Sequence, residues 1–347
     1  MDVTTAIIDR AGANVAFVLP GGLTLVRRLN SYADVSMSIG ERDDPEKVAA
    51  IIPAQAGVSI WRDGELRFRG QITALSGSLD EDGSALSVKA ADPLWWLQSR
   101  FTRAPLTYAA QDAGSGIAWP VIALQNGYEP THLGQGTIAA SVNRDRTYEV
   151  GKRVSEIVQQ LAEVENGFWF VARPVESGET FSLLDIMYPT SGATLSSAPM
   201  EYGPNTIGNI AGVPTIEETR PWNRVTVIGG PNTVPAIAEN TASIAAYGLI
   251  EEWQSAPDVI RQTTLQEHAN ALLHSGVKRT FTFKLAPSSS ASVPVAGVDF
   301  DIGDIVPIRI NDGWKWDISA SMRVTQTTTV WSDDANTEQT DVIGEEV

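Results

Sequence analysis

A chain of 347 residues, 43% apolar and 19% charged, has the composition of a folded protein with a large core, which excludes intrinsic disorder. Its 42 acidic against 25 basic residues give a formal charge of −17, which argues against nucleic-acid binding by neutralisation of phosphates. Cysteine is absent, excluding disulfides, thiolate catalysis and sulfur-ligated metal sites.

The 29 Gly and 19 Pro are scattered between short apolar runs, as in a strand-and-turn protein. Met1 to Thr5 lacks the basic and apolar stretches of a secretory signal, and no apolar run reaches the length of a membrane span. The expectation is a protein made and folded in a cytoplasm.

In chain order, Asn14 to Leu19, Leu23 to Leu29 and Asp34 to Ile39 read as short strands, with turns at Pro20-Gly21-Gly22 and Asn30-Ser31-Tyr32. Glu41 to Pro45 is a polar loop, and Val48 to Ile52 leads to a hairpin. There, Val58-Ser59-Ile60-Trp61 precedes Asp63-Gly64; beyond it Leu66, Phe68, Ile72 and Ala74 alternate with Glu65, Arg67, Arg69, Gln71 and Thr73. That is the period of a strand with one wet face. Asp-Gly between alternating runs marks a type I′ turn, which needs positive φ at both central residues.

Asp80-Glu81-Asp82-Gly83 turns this strand into Ala85 to Ala90 and reads as a hairpin tip, not a metal site. Asp92-Pro93 starts a short helix, Asp as cap and Pro at the first helical position. Trp95 and Trp96 on that helix are expected to plug the bottom of a small barrel rather than form a ligand platform.

Phe101 to Tyr148 is turn-rich without a long periodic segment. Val154, Ile157, Val158, Leu161 and Val164 recur at helical spacing, closed by Asn166-Gly167. Phe168 to Ala172 and Thr180 to Met187 follow as strands, and Pro189 to Pro214 reads as a linker. Asn223 to Gly230 is a strand; Thr264-Leu265-Gln266-Glu267 fits a capping box before the stripe Ala269, Leu272, Leu273; Thr280 to Leu285 is again a strand. Val306, Ile308 and Ile310, then Asp312-Gly313, then Trp314, Trp316, Ile318, Ala320, Met322 and Val324 repeat the earlier hairpin, so that Val58–Thr73 and Val306–Thr325 read as two copies of one β unit. The acidic tail from Asp333 is expected to fray.

No Gly-x-Ser-x-Gly elbow, P-loop or dinucleotide fingerprint is present. His268 and His274 lie six apart on one predicted helix and so on different faces, which favours surface residues over metal ligands; His132 stands alone. Asp299, Asp301 and Asp304 lack the calcium-loop spacing and read as turn residues. Trp314 and Trp316 fall on the apolar face of a strand, where core packing is the simple reading. No catalytic, cofactor-binding or metal-binding residue is assigned, and no enzyme is expected.

The order of elements resembles the hub proteins at the tail tip of tailed bacteriophages, related to the baseplate hub of contractile tails and the N-terminal part of tail-associated lysozymes. The resemblance runs over nearly the whole chain. It rests on Leu29 to Ile39, on Val58 to Gly64 continuing to Phe68-Arg69-Gly70, and on Val88 to Leu94. Later signposts are Trp222 to Val227, Tyr247 to Glu251, Gly303 to Val306 and Arg323-Val324-Thr325. It implies a structural role as a homotrimer whose two similar barrels per subunit make a pseudo-sixfold ring. That ring joins the tail tube or a distal tail protein to the other tip proteins in the virion, and DNA meets it only in passage.

The expected fold class is mainly β with an α+β insertion. A first hub β-barrel spans 1–100, an α+β domain with its linker 101–214, and a second hub β-barrel, with a helix about 263–275, spans 215–347. The alternatives are a carbohydrate-binding β-sandwich module for host recognition and a glycoside hydrolase with unrecognised carboxylates.

Overall fold

The computed structural model describes residues 2–18, 20–40, 55–80, 83–164, 167–196, 199–203, 208–218, 222–231, 233–257, 259–275, 279–287, 293–332 and 338–347. The chain is mainly β, with few and short helices. The expected polar loop at 41–45 and strand at 48–52, the tip residues 81 and 82, and Asn166 of the expected helix cap lie outside the described residues.

Seven strands come first: β1 (Val3–Asp9), β2 (Asn14–Val18), β3 (Leu23–Arg28), β4 (Asp34–Gly40), β5 (Ala56–Arg62), β6 (Glu65–Asp80) and β7 (Gly83–Ala91). They pair in the order β3-β4-β7-β6-β5-β1-β2 and enclose a core containing Val35, Met37, Val58, Ile60, Phe68, Ile72 and Val88. The β5–β6 turn is the expected type I′, with φ of 51° at Asp63 and 82° at Gly64. β1 has no alternation to announce it, because Ala6, Ile7 and Ile8 are buried on both faces. The expected wet face of β6 is also corrected, since Arg69 and Gln71 are buried. A later hairpin covers that face: Arg69 Nη1 donates to the Val175 carbonyl at 2.8 Å, and its guanidinium carbon lies 5.0 Å from the Phe181 ring centroid.

Asp92 then caps a 3-10 helix, Pro93–Ser99, its Oδ1 accepting the Leu94 N–H at 2.9 Å as expected. Leu94 and Leu97 enter the core of the middle unit while Trp95 and Trp96 stay half-buried, so this helix does not plug the first unit. The middle unit comprises β8 (Leu106–Asp112), helix Trp119–Asn126, β9 (Leu133–Ile138), β10 (Asn143–Tyr148), helix Val154–Ala162, β11 (Trp169–Ser177) and β12 (Thr180–Met187). β12 pairs with β11 antiparallel and with β9 in parallel, and β10 pairs with β8. The helix Trp119–Asn126 escaped sequence reading because it has only eight residues and no clean apolar stripe, Leu124 being exposed while Gln125 is buried.

The expected linker instead holds β13 (Met200–Tyr202) and the start of β14 (Ile210–Glu218), so a boundary at 214/215 would cut a strand. A small sheet follows, β15 (Arg224–Gly229), β16 (Ala236–Glu239) and β17 (Glu251–Ala256), with helix Thr241–Tyr247 between the last two. Helix Gln262–Ser275 packs on it through Leu265 and Ala269, forming a core with Val225 and Val227. Because that helix begins at Gln262, Thr264 lies within its first turn and is not its cap.

The chain closes with β18 (Arg279–Leu285), β19 (Ile305–Asn311), β20 (Asp317–Trp331) and β21 (Glu338–Glu346). With β13 and β14 these enclose a core containing Phe281, Phe283, Val306, Ile308, Met322, Val324 and Val342. The expected frayed tail is corrected by β21, which is hydrogen-bonded to β18 on one side and β20 on the other.

Candidate functional site

The two β units share one pairing scheme. β3-β4-β7-β6-β5 in the first corresponds strand for strand to β14-β18-β21-β20-β19 in the second, every neighbouring pair antiparallel in both. Register extends the match to residues: Val58 faces Gly70 as Val306 faces Met322, and Met37 faces Val88 as Phe283 faces Val342. Buried Val58 and Ile60 therefore correspond to buried Val306 and Ile308. The units differ where β5 meets β1 antiparallel but β19 meets β13 in parallel.

Their hairpin turns differ too. Asn311 pairs Asp317, leaving a five-residue loop where the first unit has two. Asp312 organises it: its Oδ1 accepts the N–H groups of Trp314, Lys315 and Trp316 at 2.8–2.9 Å. Those bonds, the one from Trp316 first, hold its carboxyl below the usual carboxylate range. Trp314 thus stands 90% exposed at the tip, correcting its assignment to the core, while Trp316 is half-buried against the second core with the Lys315 ammonium 4.2 Å from its ring centroid.

β20 joins the halves. Its first part pairs with β19, and its last part, Gln326 to Trp331, pairs with β3, so one sheet runs through both units. Trp331 enters the first core, and its Nε1 donates at 3.1 Å to Glu338 Oε2, which also accepts from buried Arg62 on β5. Arg27 pairs with Asp301 across the same junction. Asp304 has a structural role as well, accepting the Ala193 and Asp301 N–H groups at 2.8 Å, which fits the turn reading of this acidic run.

Of the histidines, His132 donates through Nδ1–H to the Glu179 carbonyl, 2.7 Å away, and stacks on Phe181. His268, expected at the surface, is buried; burial, then the Arg146 and Arg144 guanidiniums, push it down to about 4. Nothing is assigned to the side chain of His274, which lies outside those described. Among the described residues no group of three or more His, Asp or Glu could hold a metal ion.

His268 opens onto a cleft of about 750 Å³ whose walls come from all parts of the chain: Arg146 of β10, Trp169 of β11, Gln254 of β17, Leu272 beside His268, and Thr325 of β20. Arg144, also buried, pairs with Glu267. Arg146 donates through Nη1 to the Asp145 carbonyl at 3.1 Å; burial lowers its basicity, and Tyr148 and Glu267 oppose that. No sequence signal marked this cleft, because its walls are scattered from Leu29 to Glu345.

Comparison with known proteins places the fold. No family model matches the chain, and no curated protein matches it by sequence. Solved structures do match over its whole length. A tail protein from Neisseria meningitidis aligns with a TM-score of 0.64 at 14% identity, covering 100% of this chain and 97% of that one. A prophage tail protein from Listeria monocytogenes gives 0.62 at 9%, covering 99% and 94%. A 43 kDa prophage tail protein from Shewanella oneidensis gives 0.59 at 12%, covering 99% and 97%. The chain therefore has the fold of phage tail proteins, as the tail-tip resemblance in its sequence led one to expect.

Proposed function

We propose that this chain is a structural tail-tip hub: a homotrimer whose two similar β units per copy form a pseudo-sixfold ring between the tail tube and the tip. The observation that carries this reading is the shared strand order and register of the two units. Three copies of a duplicated unit present six similar surfaces, which is what matching a sixfold tube to a threefold tip requires. The fold of the solved tail proteins supports it. A formal charge of −17 suits walls past which DNA slides without adhering. In this reading the chain is not an enzyme, its partners are the tube or distal tail protein and other tip proteins, and it resides in the virion after assembly in the host cytoplasm.

Sedimentation tests the oligomer. The hub reading expects three copies, about 112 kDa as three times the 37.3 kDa chain, alone or with the added mass of a bound tail-tube protein. A twofold dimer that persists with the tube protein present would overturn it. The carbohydrate-binding alternative draws on exposed Trp314 and Trp253. Saturable glycan binding lost on Trp314→Ala or Trp253→Ala would favour it.

A further inference from the structure

Copies of a chain with a formal charge of −17 repel one another, so a contact between them needs cations placed where acidic surface will meet them. The middle unit has such a place. Phe101 and Arg103 are exposed on a short stretch that bridges Arg153, with Thr102 buried between them. The Arg153 guanidinium lies 5.6 Å from the Phe101 ring centroid and that of Arg103 lies 4.0 Å from the Tyr128 centroid, all four side chains being exposed. Arg103 has no ion pair among the described residues, and Arg153 shares Glu156, 3.7 Å away, with Lys152. With Arg100 and Lys152, four cations stand here against the carboxylates of Glu149 and Glu156. Exposed arginines stacked on aromatic rings are the residue types that anchor protein interfaces.

A complementary surface lies on the β15–β17 sheet. Helix Gln262–Ser275 covers the face that carries Val225 and Val227. On the opposite face Ile237, Thr226 and Trp253 lie in register across the three strands, with Ile228 on one side of that row and Arg224, between Glu239 and Glu251, on the other. Ile228, Ile237 and Trp253 are exposed, Trp253 at 61%, and two carboxylates to one guanidinium leave the far row negative. The two surfaces cannot meet within one chain. Glu267 and Arg261 pair with Arg144 and Asp145 of β10, so the middle unit lies on the helix side of this sheet and the Trp253 face is turned away from it.

We propose that the surface of Phe101, Arg103, Tyr128 and Arg153 on one copy docks on the Trp253 face of the next, guanidiniums against Glu239 and Glu251 and aromatic rings against Ile237 and Trp253. Because the two surfaces differ, the contact is head to tail, the kind that generates a ring when its rotation closes. The inference rests on the trimer reading and names the surfaces that would form it.

Sedimentation equilibrium of four full-length proteins tests it: the wild type, Arg103→Glu with Arg153→Glu, Glu239→Lys with Glu251→Lys, and the chain carrying all four changes. The wild type is expected as a trimer. Each reversed pair should raise the concentration of half-assembly at least about tenfold, and the fourfold variant should return it to within about threefold of the wild type. Where the wild type assembles only on a tail-tube protein, the four are compared in its presence. All four positions are exposed, so each variant should keep the wild-type thermal transition. Should the lysine pair fail to fold, Trp253→Ser on the same face must weaken assembly alike. A wild-type trimer that survives unchanged in both reversed pairs overturns the docking and leaves the hub reading standing, as does loss of assembly that the fourfold variant does not recover. A wild type that stays monomeric or forms a twofold dimer, even with the tube protein, overturns the hub reading as well.

Discussion

Thr73 and Thr325 occupy one position in two copies of one sheet. Each is the extra residue of a β-bulge, between Ile72 and Ala74 against β7 and between Val324 and Gln326 against β21. In each the hydroxyl donates across the bulge to the carbonyl of the facing residue, Thr73 to Lys89 at 3.2 Å and Thr325 to Ile343 at 3.1 Å. The extra residue resets the alternation, so the inward series passes from Ile72 to Leu75 in one unit and from Val324 to Thr327 in the other. A shared bulge, closed by the same bond, is stronger evidence of duplication than a shared turn.

Replacing either threonine by valine keeps the shape and deletes that bond. Each substitution is expected to lower stability by about 0.5–1.5 kcal/mol, Thr325→Val more than Thr73→Val because Thr325 is the more buried. Urea unfolding of both single variants checks it; a neutral Thr325→Val beside a costly Thr73→Val would break the equivalence.

Asp92 gives stability a pH dependence. Burial raises its carboxyl from the ordinary 3.8 to about 7, against the opposing hydrogen bonds from the Ala33 and Leu94 N–H groups. The folded state therefore holds this proton more tightly than the unfolded chain. Its contribution is complete below about pH 4 and is lost as pH rises through 7, on the order of a few kcal/mol. Asp92→Asn keeps a capping oxygen and should flatten the difference between melting curves taken at pH 5 and pH 8; an unchanged difference would rule Asp92 out as its source.

The contact of Arg62 with Glu338 holds the first unit to the last strand, with side-chain exposures of 10% and 3%. Arg62→Ala strands a buried carboxylate and should cost about 3–5 kcal/mol, whereas Arg62→Met with Glu338→Leu should recover most of it. Chemical denaturation of Arg62→Ala and of the Arg62→Met, Glu338→Leu double variant checks it. A single-variant cost below about 1 kcal/mol would show that water reaches the pair.

Trp314→Ser should change the stability of the isolated chain by less than about 0.5 kcal/mol, as expected of an exposed tip residue. A core tryptophan would cost about 3–5 kcal/mol, which is the outcome the strand reading of Trp314 implies.

These residues also show what was legible in the sequence. Alternation and turn chemistry located both hairpins, and the span from Val58 to Thr73 paired with Val306 to Thr325 began and ended on truly equivalent positions. What failed was set by distant chain. Arg69 looked wet because the β11–β12 hairpin that covers it lies some hundred residues away. Trp314 looked internal because Asp312-Gly313 suggested a two-residue turn, whereas Asp312 caps three successive N–H groups and widens the loop. β13 is three residues long, and only its parallel pairing with β19 makes it a strand. The cleft at Arg146 left no trace in the sequence, since its walls are drawn from stretches spread between Leu29 and Glu345.

Single-particle electron microscopy of the protein, alone and with a tail-tube protein, tests the hub reading most directly. A closed ring of three copies, with six similar densities around the hole that fit the β3–β7 and β14–β21 units alternately, is the result expected. A closed assembly in which only one of the two units surrounds the axis, or a twofold dimer with no hole, would contradict it.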